Sequence, residues 1–336
     1  MRARLALLSI VLLLLPGAAG AQPIVAEPTA RPGDLKVEFR APPTTMIRYR
    51  IDVTQSRQKE GEPGPTVTAT QVAEVSFRVL STRDDGYRMA MNYEKVESRS
   101  PQMKAMGVSD EVADKIGKRF ESTTLVYLCD LNGNPTSLEN LADLKEIMAK
   151  NIGTLRYYFK EAKLKPDAAA ATAKMVDSME QAYNAMTQEQ ANRALLEDIR
   201  PLFGTTGIDL PPDGEIHFDE TEPWPLTGTL LKTRGKLKLE RIDASHAVIS
   251  LRTSYDRDSV RDGLATALKQ RAAQNGGEVP ERLASTIKGM ENYDVQEVQT
   301  TTLRLSDGWA DTMTIERQSI IGPERRFKRT VATRLP

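Results

Sequence analysis

Cysteine is almost absent: the chain of 336 residues has one, Cys129. A single thiol excludes an intrachain disulfide framework and any cysteine-rich zinc or iron–sulfur site. Histidine is nearly as scarce, with only His217 and His246 to serve a metal centre. Net charge is lacking as well, since 46 Lys and Arg balance 46 Asp and Glu. That balance removes the usual electrostatic argument for nucleic acid or an anionic membrane as principal partner. No Gly-x-Ser-x-Gly elbow occurs, no glycine-rich phosphate loop occurs, and no short-range pairing of Ser or Cys with His is read. No cofactor is implied.

Long apolar runs are missing except at the start. Arg2 and Arg4 precede an apolar run from Leu5 to Leu15, Pro16-Gly17 breaks it, and Ala19-Gly20-Ala21 offers small residues for cleavage. This is the pattern of a signal peptide over residues 1–21. Eleven residues, apolar except for Ser9, at about 1.5 Å each are too few to span a hydrocarbon core of roughly 30 Å. Losing the two arginines leaves 44 basic against 46 acidic residues. No cysteine follows the run to carry a lipid anchor, and Asn134-Pro135-Thr136 is blocked as a glycosylation site by its proline. The expectation is a periplasmic or secreted protein of a bacterial envelope, with no transmembrane segment.

Residues 22–45 carry five prolines with little periodicity and read as an extended leader. Period-two alternation then begins at Ile47, Tyr49, Ile51 and Val53, as in a half-buried antiparallel strand. Further strands follow through Val75–Val79, Tyr87–Tyr93 and Leu125–Asp130, with a short helix after Ser109. Thr136-x-x-Glu139 reads as a capping box that opens a helical middle, and Thr187-x-x-Gln190 as a second one. Strands return from Leu226, interrupted by two helices around Val260–Leu268 and Leu283–Met290. The domain spans 46–335: strand-rich over 46–135, helical over 136–205, strand-rich with a helical hairpin over 212–335. The class is α+β, with one or two curved antiparallel sheets, or a half-barrel, and helices packed on one face.

Few residues offer chemistry. His217 with Asp219 and Glu220 would need to converge to bind metal or act as a base, yet strand alternation turns Glu220 away from the other two. Asp130-x-Asn132-x-Asn134 opens like a calcium loop but has Pro135 and Leu141 where glycine and glutamate are required. Cys129 lies in an apolar strand and reads as a buried thiol. Arg326, Lys328 and Arg334 share one face of the last strand, with Arg325 and Arg329 nearby, and read as a charged strand edge or a dock for an acidic partner. The methionines are the richest signal. Met175, Met179 and Met186 form a helical stripe, while Tyr87, Met89, Met91 and Tyr93 form a strand face. Such surfaces are either packed core or the walls of an apolar ligand site.

The hairpins Tyr49–Val53, Val75–Val79 and Tyr87–Tyr93, the turn Asp130-Leu131-Asn132-Gly133 and the helical insert resemble uncharacterised secreted bacterial proteins rich in antiparallel strands. Their outline is similar to the half-barrel of periplasmic lipoprotein carriers. The resemblance implies a curved sheet that holds an apolar or lipid-like ligand, and it assigns no site residue. Three functions compete: a carrier of an apolar ligand, an envelope assembly protein acting through protein contacts, and an enzyme with a site near His217.

Export predicts a mature protein that starts at Gln22. Intact-mass measurement on envelope fractions should find it, and full-length chain retained in the cytoplasm would contradict the signal-peptide reading.

Overall fold

The computed structural model describes residues 35–101, 104, 108–121, 123–161, 164, 166–196, 199–211, 214–223, 230–274, 294–321 and 323–336. The expected signal peptide, and the helix expected around Leu283–Met290, lie outside these residues. In chain order the elements are β1 (Leu35–Lys36), β2 (Met46–Lys59), β3 (Thr66–Arg83), β4 (Gly86–Arg99), α1 (Asp110–Phe120), β5 (Thr124–Cys129) and β6 (Pro135–Leu138). Helices α2 (Leu141–Glu161), α3 (Pro166–Ala185) and α4 (Gln188–Leu196) follow, then a 3₁₀ turn at Arg200–Leu202 and β7 (Asp209–Leu210). The second half is β8 (Glu215–Pro223), β9 (Leu230–Ile242), β10 (His246–Tyr255), α5 (Arg257–Gln274), β11 (Asp294–Arg304), β12 (Ala310–Ile321) and β13 (Glu324–Leu335).

Eleven of these strands form one open, curved antiparallel sheet in the order β6-β5-β4-β3-β2-β13-β12-β11-β10-β9-β8. Both strand-rich halves are meanders, and they join where β2 pairs with β13, from Lys59 opposite Glu324 to Arg48 opposite Leu335. The class is α+β, as the sequence implied; the two strand-rich halves share one sheet, and β1 pairs with β7 in a separate two-stranded one. The last strand is therefore central, which corrects its reading as an edge. Nothing near residues 324–335 in sequence announces that their second partner lies at residues 48–59.

Alternation sorts side chains between the two faces. The outer face is charged: Arg48 reaches Glu74 and Glu94, Arg50 pairs with Asp52, and Arg329 pairs with Glu316. Exposed pairs contribute only about 0–1 kcal/mol each, so this ladder chiefly keeps the outer face wet. The inner face carries the core. Tyr49, Phe77, Met89, Met91 and Tyr127 are buried there beneath Leu144, Met148, Ile152 and Leu155 of α2 and Val176, Met179 and Tyr183 of α3.

Local signals set several helix ends. Ser109 accepts the Val112 amide at the start of α1, and Pro166 occupies the first position of α3. Thr187 and Gln190 exchange bonds of 3.2 and 2.9 Å as a reciprocal box. The expected box at Thr136 is not one. Its hydroxyl donates to the Leu128 carbonyl, Glu139 pairs with Arg88, and residues 135–138 zip onto β5 as β6. That strand is one edge of the sheet, and α4 covers it: Gln188 Nε2 donates to the Leu138 carbonyl and Asn192 Oδ1 accepts its amide.

The end of the leader is also ordered. Val37, Phe39 and Ala41 are buried in the main core, although the sequence reading gave them to a segment outside the domain. Phe39 contacts Tyr87, Phe203 and Trp309 with ring centroids 5.2, 5.5 and 5.1 Å away. Two turns make room for it. Gly133 (φ +81°) lies under the Phe39 ring, and a Cβ on Gly308 (φ +72°) would stand 2.5 Å from the Glu38 carbonyl oxygen. Backbone bonds from Gly207 to Val37 and from Arg40 to Asp307 pin the strap to the segment after the 3₁₀ turn and to the β11–β12 turn.

Removing the Phe39 ring should open a cavity among Tyr87, Phe203 and Trp309. Phe39→Ala is expected to cost about 3–5 kcal/mol in denaturant unfolding, and a loss below about 1 kcal/mol would show that the strap is peripheral.

Candidate functional site

The register allows the inner face to be mapped row by row. Across the sheet, Val96, Ala73, Ile51, Ala332, Met313, Thr301 and Ile249 lie side by side. All but Ile51 are buried, so this row is floor of the core. One row further, about 7 Å along the strands, come Ser98, Gln71, Val53, Thr330, Ile315 and Gln299. Only Gln299 is buried there, where it donates to the Pro201 carbonyl. The next row holds Gln55, Lys328, Arg317 and Glu297, and the one beyond it Arg57, Arg326 and Ser319. On β2, β13 and β12 the inner face thus passes from packed apolar, through half-buried, to cationic.

Ion pairs complete this belt. Arg317 lies 3.9 Å from Glu297 and 5.6 Å from the centre of the Tyr255 ring, and Arg326 donates to Glu324 over 2.6 Å. Burial pushes the Glu297 carboxyl up, against the pull of Arg317 and Lys328. Arg57 and Lys328 have no carboxylate partner among the described residues. Of the basic residues flagged in sequence, Arg326 and Lys328 face inward here, and Arg334 reaches Asp307 at 3.5 Å and Asp311 at 3.7 Å. Arg325 and Arg329 alternate to the other face.

The Met and Tyr surfaces do meet. Tyr87, Met89, Met91, Met179 and Met186 are all buried in one cluster, and the Tyr87 hydroxyl donates to the Phe39 carbonyl. Tyr93 is half-buried at its margin. Met175 lies on α3, but its side chain falls outside the described residues. The helical face runs through Val176, Met179, Tyr183 and Met186, while Ala182 is exposed.

The other sequence candidates stay apart. His217 stands on β8, the second edge of the sheet, its side chain 71% exposed and 3.5 Å from Glu215, which also holds Lys236. The acidic stretch lies along this strand, with Glu220 on the opposite face. Asp130 Oδ1 accepts the amides of Asn132 and Asn134, so its carboxylate closes a turn, and Thr206 bonds the Asn132 carbonyl. Cys129 is buried against Met89, and desolvation pushes its thiol well above the ordinary range.

Sequence reading missed two groups. The first is the half-buried row Val53, Thr330 and Ile315 with the cations beyond it. Its signal was present in β2, where the inward alternation Tyr49, Ile51, Val53 continues as Gln55 and Arg57. The second is a serine–histidine contact, contrary to expectation. Ser245 Oγ is 2.8 Å from His246 Nδ1, whose Nε2 is 2.7 Å from Asp311. A cavity of about 510 Å³ opens beside them. The same hydroxyl lies 2.9 Å from Asp243 Oδ1, which also accepts the Ser245 and His246 amides, so this network caps the β9–β10 turn and ties it to β12.

Backbone bonds from Ser245 and His246, then the Ser245 hydroxyl, hold the Asp243 carboxyl at about 2, down from 3.8. A depressed folded value means that its stabilisation is present above about pH 4 and lost as pH falls through about 2. Asp243→Asn is expected to flatten the fall in melting temperature over that window, and an unchanged slope would show that the turn does not use this charge.

No protein-family model matches the chain, and no curated relative does. Among solved structures it is similar to one of lipid–protein interactions in lipovitellin, with a TM-score of 0.39 and 10% identity, covering 88% of this chain and 25% of that one.

Proposed function

We propose that the protein is a non-catalytic binding protein, exported to the periplasm or beyond, that carries an apolar or lipid-like molecule against the inner face of its sheet. The observation that carries this reading is the half-buried row Val53, Thr330 and Ile315. It adjoins the packed core on one side and the charged belt on the other, and the side chains of all three residues are half-buried rather than buried. Met89, Met91, Met179 and Met186 are buried in the main core. Tyr93, at the core margin, is the one of the seven candidate residues with a described side chain that is not buried. A protein-contact role has one specific support, the edge strand β8, whose outer face carries the exposed His217 and Asp219. Charge on an edge strand normally opposes strand addition, which places this reading second.

The two surfaces respond oppositely to mutation. Met179→Ala should cost about 2–5 kcal/mol of stability and leave the affinity for a fluorescent fatty-acyl probe unchanged. Ile315→Gln with Val53→Gln should spare stability by comparison and weaken probe binding by about tenfold or more, roughly 1.4 kcal/mol. Absence of saturable probe binding by the wild type would end the carrier reading in favour of the protein-contact one.

A further inference from the structure

We infer that the molecule held on the inner face is a long-chain carboxylate whose head group sits among Lys328, Arg57 and Arg326, with its chain running over Val53 and Ile315. This rests on the carrier reading and names the chemical class of its ligand. Arg57 lies directly opposite Arg326, and Lys328 is two residues along the same face of β13, about 7 Å away. Like charges facing each other across a ladder are unfavourable unless an anion offsets them.

Carboxylates within the belt supply only part of that offset. Glu324 answers Arg326 and Glu297 answers Arg317, which leaves Arg57 and Lys328 without a carboxylate among the described residues. Lys328 is half-buried. A central strand normally turns apolar side chains toward its core. Here the inward positions of β13 run Ala332, Thr330, Lys328, Arg326, a gradient that matches an apolar tail followed by an anionic head. The neighbouring Glu297 and Glu324 would repel a doubly charged phosphate more than a singly charged carboxylate, which selects the head group. A carboxylate also accepts paired N–H bonds from a guanidinium such as that of Arg57.

The test is calorimetric titration of the mature chain with oleate, oleyl alcohol, hexanoate, dodecanoate and dodecyl phosphate. Oleate should bind at least about tenfold tighter than the uncharged alcohol, hexanoate should bind weakly for want of a chain, and dodecanoate should exceed dodecyl phosphate. Lys328→Gln with Arg57→Gln should erase the preference for oleate over oleyl alcohol while leaving the alcohol's affinity intact, and Lys328→Arg should retain it. Should the double variant fail to fold, the wild type itself decides: its oleate affinity must fall from about 0.05 M to about 0.5 M salt while that of oleyl alcohol does not. Equal affinity for acid and alcohol, unmoved by the substitutions or by salt, would overturn the inference and leave the carrier reading standing. Tighter binding of dodecyl phosphate would overturn the carboxylate assignment, and absence of binding by both oleate and the alcohol would defeat carrier and head group together.

Discussion

The pairing of β2 with β13 is the constraint on which the rest depends. Each half of the chain can build a meander from local hairpins, but neither meander alone sets the position of the other. The seam between them joins residues almost three hundred positions apart, from Arg48 opposite Leu335 to Lys59 opposite Glu324. Closing so long a loop is entropically costly and gains nothing until the ladder forms. Tyr49 adds to the seam by donating across β13 to the Ala310 carbonyl of β12. Once joined, eleven strands share one inner face, and the charge and apolar pattern of that face becomes a property of the whole sheet.

The strap at residues 37–41 makes the same connection from inside. Phe39 touches Tyr87 from the first half, Trp309 from the second and Phe203 from the helical segment, while Phe77 and Phe203 stand 5.9 Å apart beside it. Aromatic pairs in edge-to-face geometry contribute about 0.5–1.5 kcal/mol beyond their burial. Their larger effect here is geometric. The three contacts fix the helical insert against both meanders at one end of the sheet.

Much of this fold was legible locally. Ser109, Pro166 and the Thr187–Gln190 pair act through bonds within four residues, and period two in β2, β4 and β5 follows from one buried face. What escaped was non-local. Thr136-x-x-Glu139 satisfies a helix-start pattern, but β5 offered those residues a ladder and Arg88 took the glutamate. The alternation Val37, Phe39, Ala41 was present in sequence and was obscured by the prolines around it. The cationic run on β13 looked like a strand edge because an edge is where such charge usually sits, and only the long-range seam makes it central. The helical stripe was placed by its methionines, which drew attention from Val176 and Tyr183, the residues that share Met179's buried face.

Placing charge inside a central strand has a cost that bears on function. A sheet built only for stability would continue Tyr49, Ile51, Val53 and Ala332, Met313 with further apolar residues and extend its helical cover over them. Instead the inward positions turn to Gln55, Arg57, Lys328 and Arg326, and burial lifts the Glu297 carboxyl as it pairs with Arg317. Replacing paired interior charges by apolar groups of similar volume is often neutral or stabilising, so such groups are weak evidence of a stability role. A face that is apolar at one level and cationic two rows on is poorly suited to being a core and well suited to a molecule with the opposite halves. The same β2–β13 seam that joins the two meanders is what brings Arg57 beside Arg326, so the fold and the proposed binding surface have a single origin.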